Sequence, residues 1–404
     1  MGRGLWVIVY GAARVGVAAL ALPVLAGVAL RERLVTRARR RRGDRPRLVW
    51  GPEPLISIKY WSAAMRERGY DSRTLVYTVY PANRREDFDV HRDEFLAGHG
   101  RVELVRDYAI FAWVLGNADV VMSFFDGGWL RATPLRRLEF ALLHLAGKRL
   151  VVAPYGSDVA VVGHLGVAEA PLVEDYPWIP ERSDAVRSRV DAFCRGADVV
   201  VRNYQFGYVP RWDVVWPSQL AIDTEAWSPS AGGGERSGEM VVVHAPNHRR
   251  IKGSDELIAA VERLRGEGVA VALDLLEGRP NEEVRQAIAR ADVVADQFVA
   301  GYAMFAIEGM AAGKPVLSAL SWMDPEIRES RALRECPILD TGLGDIGPRL
   351  RELAGDPGLR ERAGAAGRDF AERFHSYAAV GAGWEAILDH VWRGDELPAE
   401  LPAA

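Results

Sequence analysis

The stretch from Ala291 to Ser318, ADVVADQFVAGYAMFAIEGMAAGKPVLS, leaves few folds open to this 404-residue chain. Asp292 to Val294 is a β-branched run suited to a buried strand, and Val299 to Met304 is an irregular turn around Gly301. A short apolar helix with one carboxylate, Glu308, comes next. Gly313 closes it, and Pro315-Val316-Leu317 opens another strand. Strand, loop, helix, strand is the repeating unit of a parallel sheet. Its loop aims the helix's first amides at the open edge of the sheet. Such amides suit a phosphate, and a nearby acid suits a ribose diol.

A second element of the same kind lies upstream. Met240 to His244 reads as a strand, followed by Ala245-Pro246-Asn247-His248-Arg249-Arg250-Ile251-Lys252-Gly253 and a helix from Ser254. Ser254 is a candidate N-cap, Asp255 and Glu256 suit the first turn, and Leu257, Ile258, Val261 and Leu264 form the buried stripe. An arginine fork and a compact lysine charge together can neutralise a diphosphate. The bland alternative is a solvated basic turn.

The words Glu308-Gly309-Met310-Ala311-Ala312-Gly313-Lys314-Pro315-Val316 and Lys252-Gly253-Ser254-Asp255 resemble the signature of retaining GT-B glycosyltransferases of the GT4-like (group 1) family. Three further words resemble its amino-terminal half: VVAPYGSDV at 151–159, Ala197 to Val201, and Ile222-Asp223-Thr224 through Pro229. The resemblance covers roughly residues 48–392. It implies an α/β fold of two Rossmann-like domains facing a cleft. The donor would be a nucleotide-diphosphate sugar, with no metal and no other cofactor. Lys252, Arg250 and Glu308 then become the catalytic group. Arg249, Gly253, Gly301, Tyr302, Ala303, Met304 and Asp296 line the donor side, and Tyr155, Gly156, Asp158 and Gly51 the acceptor side. Asp296 and Gln297 replace small or apolar residues of the family and would touch base or sugar, or cap the loop. Ala300 stands where the family has its first loop Glu, Tyr155 where it often has His, and Gly51-Pro52-Glu53-Pro54 where it has a Gly-Gly loop.

Strand and helix patterns alternate through both halves, as a parallel sheet with helices on both faces requires. The expected division is a membrane anchor and basic segment (1–47), an acceptor domain (48–229) and a donor domain (230–376). A helix crossing back (377–392) and a loose tail (393–404) complete it. Residues 230–238 read as a flexible linker. Asp87-Phe88-Asp89 looks like a metal-binding D-x-D but lies in a polar stretch, so a solvated loop is expected, with His91 and His99 at its surface. Cys194 and Cys336 lie far apart without ligand spacing, which indicates structural thiols in a reducing compartment.

Leu5 to Leu30 is apolar apart from Arg14 and long enough to cross a bilayer, which needs about 20 residues. Residues 31–47 carry nine arginines against Glu32 and Asp44, a local +7 in a chain of net −4, leaving −11 elsewhere. That balance argues against nucleic acid and for an anionic membrane surface. A signal peptide fits poorly, because the Arg-flanked residues 26–33 make a poor cleavage site. A helix lying in the interface is the competing reading. Apolarity on all faces favours a single-pass anchor, with the positive-inside rule placing the following domains on the cytoplasmic side of the inner membrane.

The expected activity is transfer of a sugar from a nucleotide-diphosphate donor to a hydroxyl of a glycan or lipid-linked acceptor, as in cell-envelope polysaccharide synthesis. Two alternatives stay open: a membrane-anchored nucleotide-sugar-binding or scaffold protein without transfer, and a nucleotide-sugar epimerase of the same fold.

Overall fold

Buried β-branched runs separated by amphipathic helices assemble into two parallel sheets. The computed structural model describes residues 3–81, 83–96, 103–203, 207–229, 238–299, 301–321, 323–398 and 400–402. The first sheet contains β1 (Leu48–Trp50), β2 (Ser72–Val76), β3 (Val90–His91), β4 (Val120–Ser123), β5 (Arg149–Val152), β6 (Val199–Arg202) and β7 (Val214–Val215), in the order β3-β2-β1-β4-β5-β6-β7. The second contains β8 (Met240–His244), β9 (Val271–Leu275), β10 (Val293–Ala295), β11 (Val316–Ser318) and β12 (Leu339–Asp340), in the order β12-β11-β10-β8-β9. Val121 sits between Val49 and Leu150 in register, and Val243 pairs with Val294. The central strands are covered on both faces, which explains their unbroken apolar sequence.

One face of the first sheet carries Glu103–Asn117, Glu139–Leu145, Trp178–Gly196 and part of the long helix Arg3–Arg42. The other carries Ile56–Glu67 and the carboxyl-terminal helix Tyr377–Leu388, which returns from the second half. Trp384 of that helix meets Trp50, Trp61 and Trp216 at ring-centroid distances of 4.9, 5.2 and 5.3 Å. Gly383 makes the approach possible, since a Cβ there would lie 2.4 Å from the Trp216 ring. The crossing is tied by the Ile222 amide, which donates to the His375 carbonyl at 2.7 Å.

Several expectations need correction. The polar stretch around the D-x-D word forms the edge strand β3, and His91 is buried, its Nε2 within 3.0 Å of the Arg85 carbonyl. Asp87 pairs with Lys59 at 2.6 Å, while Asp89 accepts from the Thr74 amide at 2.8 Å, so the two carboxylates serve different neighbours. In the tail after Arg393, Leu397 and Leu401 rest half-buried against the core that holds Trp384, while Gly394, Asp395, Glu396 and Glu400 are exposed. A tight turn at Pro134–Leu138, capped by the Thr133 hydroxyl, leads into the helix Glu139–Leu145 and leaves Leu138 exposed. Cys194 and Cys336 are free, with thiols that burial pushes up to about 11 and about 12, values that suit inert structural residues. His99, Ala300 and linker residues 230–237 lie outside the described residues.

Candidate functional site at the carboxyl ends of the strands

In an open parallel sheet the ligand crevice lies outside the carboxyl ends of the strands. In the second half those ends bring Lys252, Asp296 and Glu308 together. Lys252 closes the short helix Arg249–Lys252, and Gly253 follows in the left-handed region at φ +68°. A side chain at 253 would meet Leu343 at 2.6 Å and Phe298 at 3.1 Å, so glycine answers both to the turn and to the packing. The Lys252 side chain is buried and its Nζ lies 2.6 Å from Asp296 Oδ1. Asp296 follows directly on β10, and its Oδ2 accepts from the Ala303 amide at 2.7 Å. Ala303 is the N-cap of Met304–Ala311, the helix that carries Glu308. Asp296 therefore holds both the Lys252 ammonium and the Ala303 amide.

Glu308 is buried on that helix. Burial first, then the Asp296 charge, push its carboxyl up to about 8, against the pull of Lys252. Its neighbour across the crevice is Tyr60, on the first half's helix Ile56–Glu67, whose phenol is held high by burial and by Glu308. Met304 packs against the apolar cores of both halves, which places the start of its helix between them.

Other predicted donor residues take supporting positions. Gly301, at φ +69°, bridges to Ala319, and Ser318 Oγ donates to the Gln297 carbonyl at 2.8 Å and also to the Gly301 carbonyl. The Tyr302 ring is buried, with its hydroxyl 3.4 Å from His375 Nε2, so it braces the loop from behind. The two arginines turn elsewhere. Arg249 pairs with Glu277 at 2.7 Å and Asp255 at 3.2 Å. Arg250 reaches across to the first half, against Glu174 and, at 3.9 Å, Asp175. Ser254 is not the helix cap: its hydroxyl lies 2.7 Å from His244 Nε2, while His244 Nδ1 lies 2.7 Å from the Ala295 carbonyl. Burial holds His244 down at about 4, so it is a neutral strut between β8, β10 and the lysine turn.

The first half has its own cluster at the ends of β1, β4 and β5. Asp158 Oδ1 accepts from the Tyr155 and Gly156 amides at 3.0 and 2.9 Å, and Oδ2 from the Phe125 amide at 3.1 Å. It ties two loops together. Gly156 turns at φ +135°, and the Tyr155 ring meets Phe124 edge-on at 5.4 Å. Gly51, at φ +146°, lies against the Leu75 carbonyl, 2.0 Å from where a Cβ would sit. It is a packing glycine. Sequence reasoning missed Glu53 and Asp126. Glu53 pairs with Arg131 and accepts from the Tyr80 hydroxyl at 3.1 Å. Burial and the Glu53 charge push Asp126 up; burial and Asp126 push Asp158 up to about 7, against its three amide donors. The signal was available, since each acid lies within three residues of a strand's carboxyl end.

A hollow of about 490 Å³ bordered by Met240, Asp292, Arg351 and Arg360 lies at the amino ends of the second sheet, the edge away from Lys252 and Glu308. Lys314 also faces that edge, donating to the carbonyls of Ala289 and Ala291 at 3.0 and 2.8 Å. Among the described residues no group of His, Cys, Asp and Glu is placed to hold a metal ion.

Two parallel sheets flanked by helices and bridged by a returning carboxyl-terminal helix define a fold of the GT-B glycosyltransferase type. The chain is similar in structure to sucrose-phosphate synthase from Thermosynechococcus elongatus, with 13% identity, TM-score 0.56, and 87% of this chain and 100% of that one covered. It is similar to HepE from Anabaena, solved in complex with UDP-glucose, with 11% identity, TM-score 0.54, and 85% and 99% covered. A glycosyltransferase from Rickettsia africae matches with 10% identity, TM-score 0.51, and 86% and 98% covered. No protein-family model and no curated protein sequence matches the chain.

Proposed function

We propose that the protein transfers a sugar, with retention of configuration, from a nucleotide-diphosphate donor held by the second half to a hydroxyl presented by the first. The observation that carries this reading is the meeting of Lys252, Asp296, the Ala303 amide and Glu308 at one helix start. The glycosidic bond breaks with its electron pair leaving on the diphosphate. Lys252 and the Met304 amide at the helix start neutralise that charge, which dispenses with a metal. The acceptor oxygen attacks the same face and its proton passes to the departing phosphate. Glu308, protonated near neutral pH, can both donate to and accept from a ribose diol. Asp296 yields Lys252 to the donor, and the structural relative HepE, which holds UDP-glucose, supports a donor of this class. The apolar, arginine-rich amino-terminal helix supports attachment to a membrane and an acceptor that is lipid-linked or part of an envelope glycan.

A second reading has one observation in its favour. Asp296 already satisfies both anion ligands, which suits a protein that binds nucleotide sugar weakly or without turnover. A thermal-shift panel of UDP, GDP, ADP and dTDP, with and without their sugars, separates the cases. Transfer predicts stabilisation by one nucleotide family and release of that diphosphate when acceptor glycans are added. Stabilisation without release supports the second reading, and no stabilisation by any member removes both.

A further inference from the structure

The long helix is apolar on every side, so its sequence does not say which side meets what. The structure does. Ala18, Leu25, Ala29, Glu32 and Thr36 are buried, at spacings of seven, four, three and four that line one face. That face is fixed to the first half. Lys148 Nζ, itself fully buried, lies 2.9 Å from Thr36 Oγ1, 3.5 Å from Glu32 and 3.6 Å from Asp119. Arg39 reaches Asp119 at 2.9 Å, and Arg40 stacks over Trp392 at 4.4 Å. Contact continues to the other end, where Arg14 donates to the Ala132 carbonyl. Tyr10 and Arg14 border a cavity of about 360 Å³ with Arg92, Glu103 and Asp107.

The opposite face is bare. Val9, Leu20, Val24, Leu30 and Leu34 are 51, 75, 64, 53 and 67% exposed. The row from Val9 to Leu34 spans about 37 Å along the axis. Arg31, Arg37 and Arg41 are exposed beside and beyond its carboxyl-terminal end, and the helix's one acid, Glu32, is on the inner face. An apolar row followed by cations, with no outward acid, matches an anionic leaflet in both hydrophobicity and charge.

We propose that this helix lies along the membrane surface, seated on the protein by one face and immersed in an anionic leaflet by the other. The inference rests on the membrane attachment proposed above and sets its geometry. A spanning helix would carry Arg92, Glu103 and Asp107, which adjoin its residues 10–14, into the hydrocarbon. An in-plane helix leaves them on the water side.

The test uses the full chain with nitroxide labels at Val9→Cys, Leu20→Cys or Leu34→Cys, the unsubstituted protein serving as background. It is mixed with vesicles of phosphatidylglycerol and phosphatidylcholine, or of phosphatidylcholine alone. The expected result is one shallow depth at all three sites, and binding at least tenfold weaker without phosphatidylglycerol. A depth gradient, with 9 in the bilayer centre and 34 at its surface, overturns the in-plane geometry and leaves attachment standing. Absence of binding to either vesicle, or a dimer that shields all three labels from water-soluble quencher, overturns attachment as well. Leu20→Glu with Leu34→Glu should abolish binding while circular dichroism stays unchanged.

Discussion

Both sheets end in a knot of charged side chains, and the two knots hold their acids differently. In the first half Asp158 is grasped by three backbone amides from two loops. In the second half Asp296 spends one oxygen on a backbone amide and the other on a flexible lysine. A carboxylate tied wholly to backbone is a staple, because nothing entering the site can replace its partners. A carboxylate tied to a lysine is an exchangeable counter-ion, because a phosphate offers the same cation the same charge. The carboxyl ends of the strands thus carry a backbone-held acid in one half and a lysine-held acid in the other.

The sharpest way to break this contrast is Lys252→Ala. It should lower sugar transfer by about 100-fold or more, and cost about 3–5 kcal/mol in urea denaturation by stranding a buried carboxylate. Adding Asp296→Asn should restore the stability and not the transfer; recovery of turnover in the double variant would remove Lys252 from the reaction. For the staple, Asp158→Ala leaves three amides without their acceptor and should cost about 3 kcal/mol, with nucleotide affinity of the folded protein unchanged. Weakened nucleotide binding at constant stability would instead make Asp158 part of the ligand site.

Glu308 tests the electrostatics of the exchange side. Its ordinary value is 4.5 and its folded value about 8. The folded state keeps a proton that the unfolded state has released, so this group's contribution makes stability fall as pH rises between those values. Glu308→Gln should remove that fall and gain about 1–3 kcal/mol over the parent at pH 8. Parallel pH profiles of the two proteins in thermal denaturation would contradict it. Asp296→Asn keeps an acceptor for the Ala303 amide and frees Lys252, so calorimetry should find diphosphates bound about tenfold tighter, about 1.4 kcal/mol; looser binding would mean that Asp296 contacts the donor itself. The smallest effect belongs to Arg250→Ala. An exposed interdomain ion pair is worth about 0–1 kcal/mol, so nucleotide affinity should move no more than about twofold, whereas a tenfold loss would return Arg250 to the phosphate.

Much of this was legible in the sequence because it is local. Runs such as MVVVH and VVAD before helix patterns announce strands and helices, and Gly253 and Gly301 mark turns that need positive φ. Lys252 and Glu308 were found because each lies in a loop-to-helix word next to its own strand. Asp296 was placed with them on the donor side, but its ion pair with Lys252 was not legible, since the two lie 44 residues apart and only the pairing of β8 with β10 brings them together. The diversion of Arg250 to Glu174, the burial of His91 on an edge strand and the seating of the long helix on Lys148 are of the same kind. Periodicity along the chain decides which elements form, because helix and strand answer to neighbours a few residues away. Which charge meets which, and which of two equally apolar helix faces is covered, is decided by contacts between elements distant in sequence. Those contacts exist only once the sheets have closed.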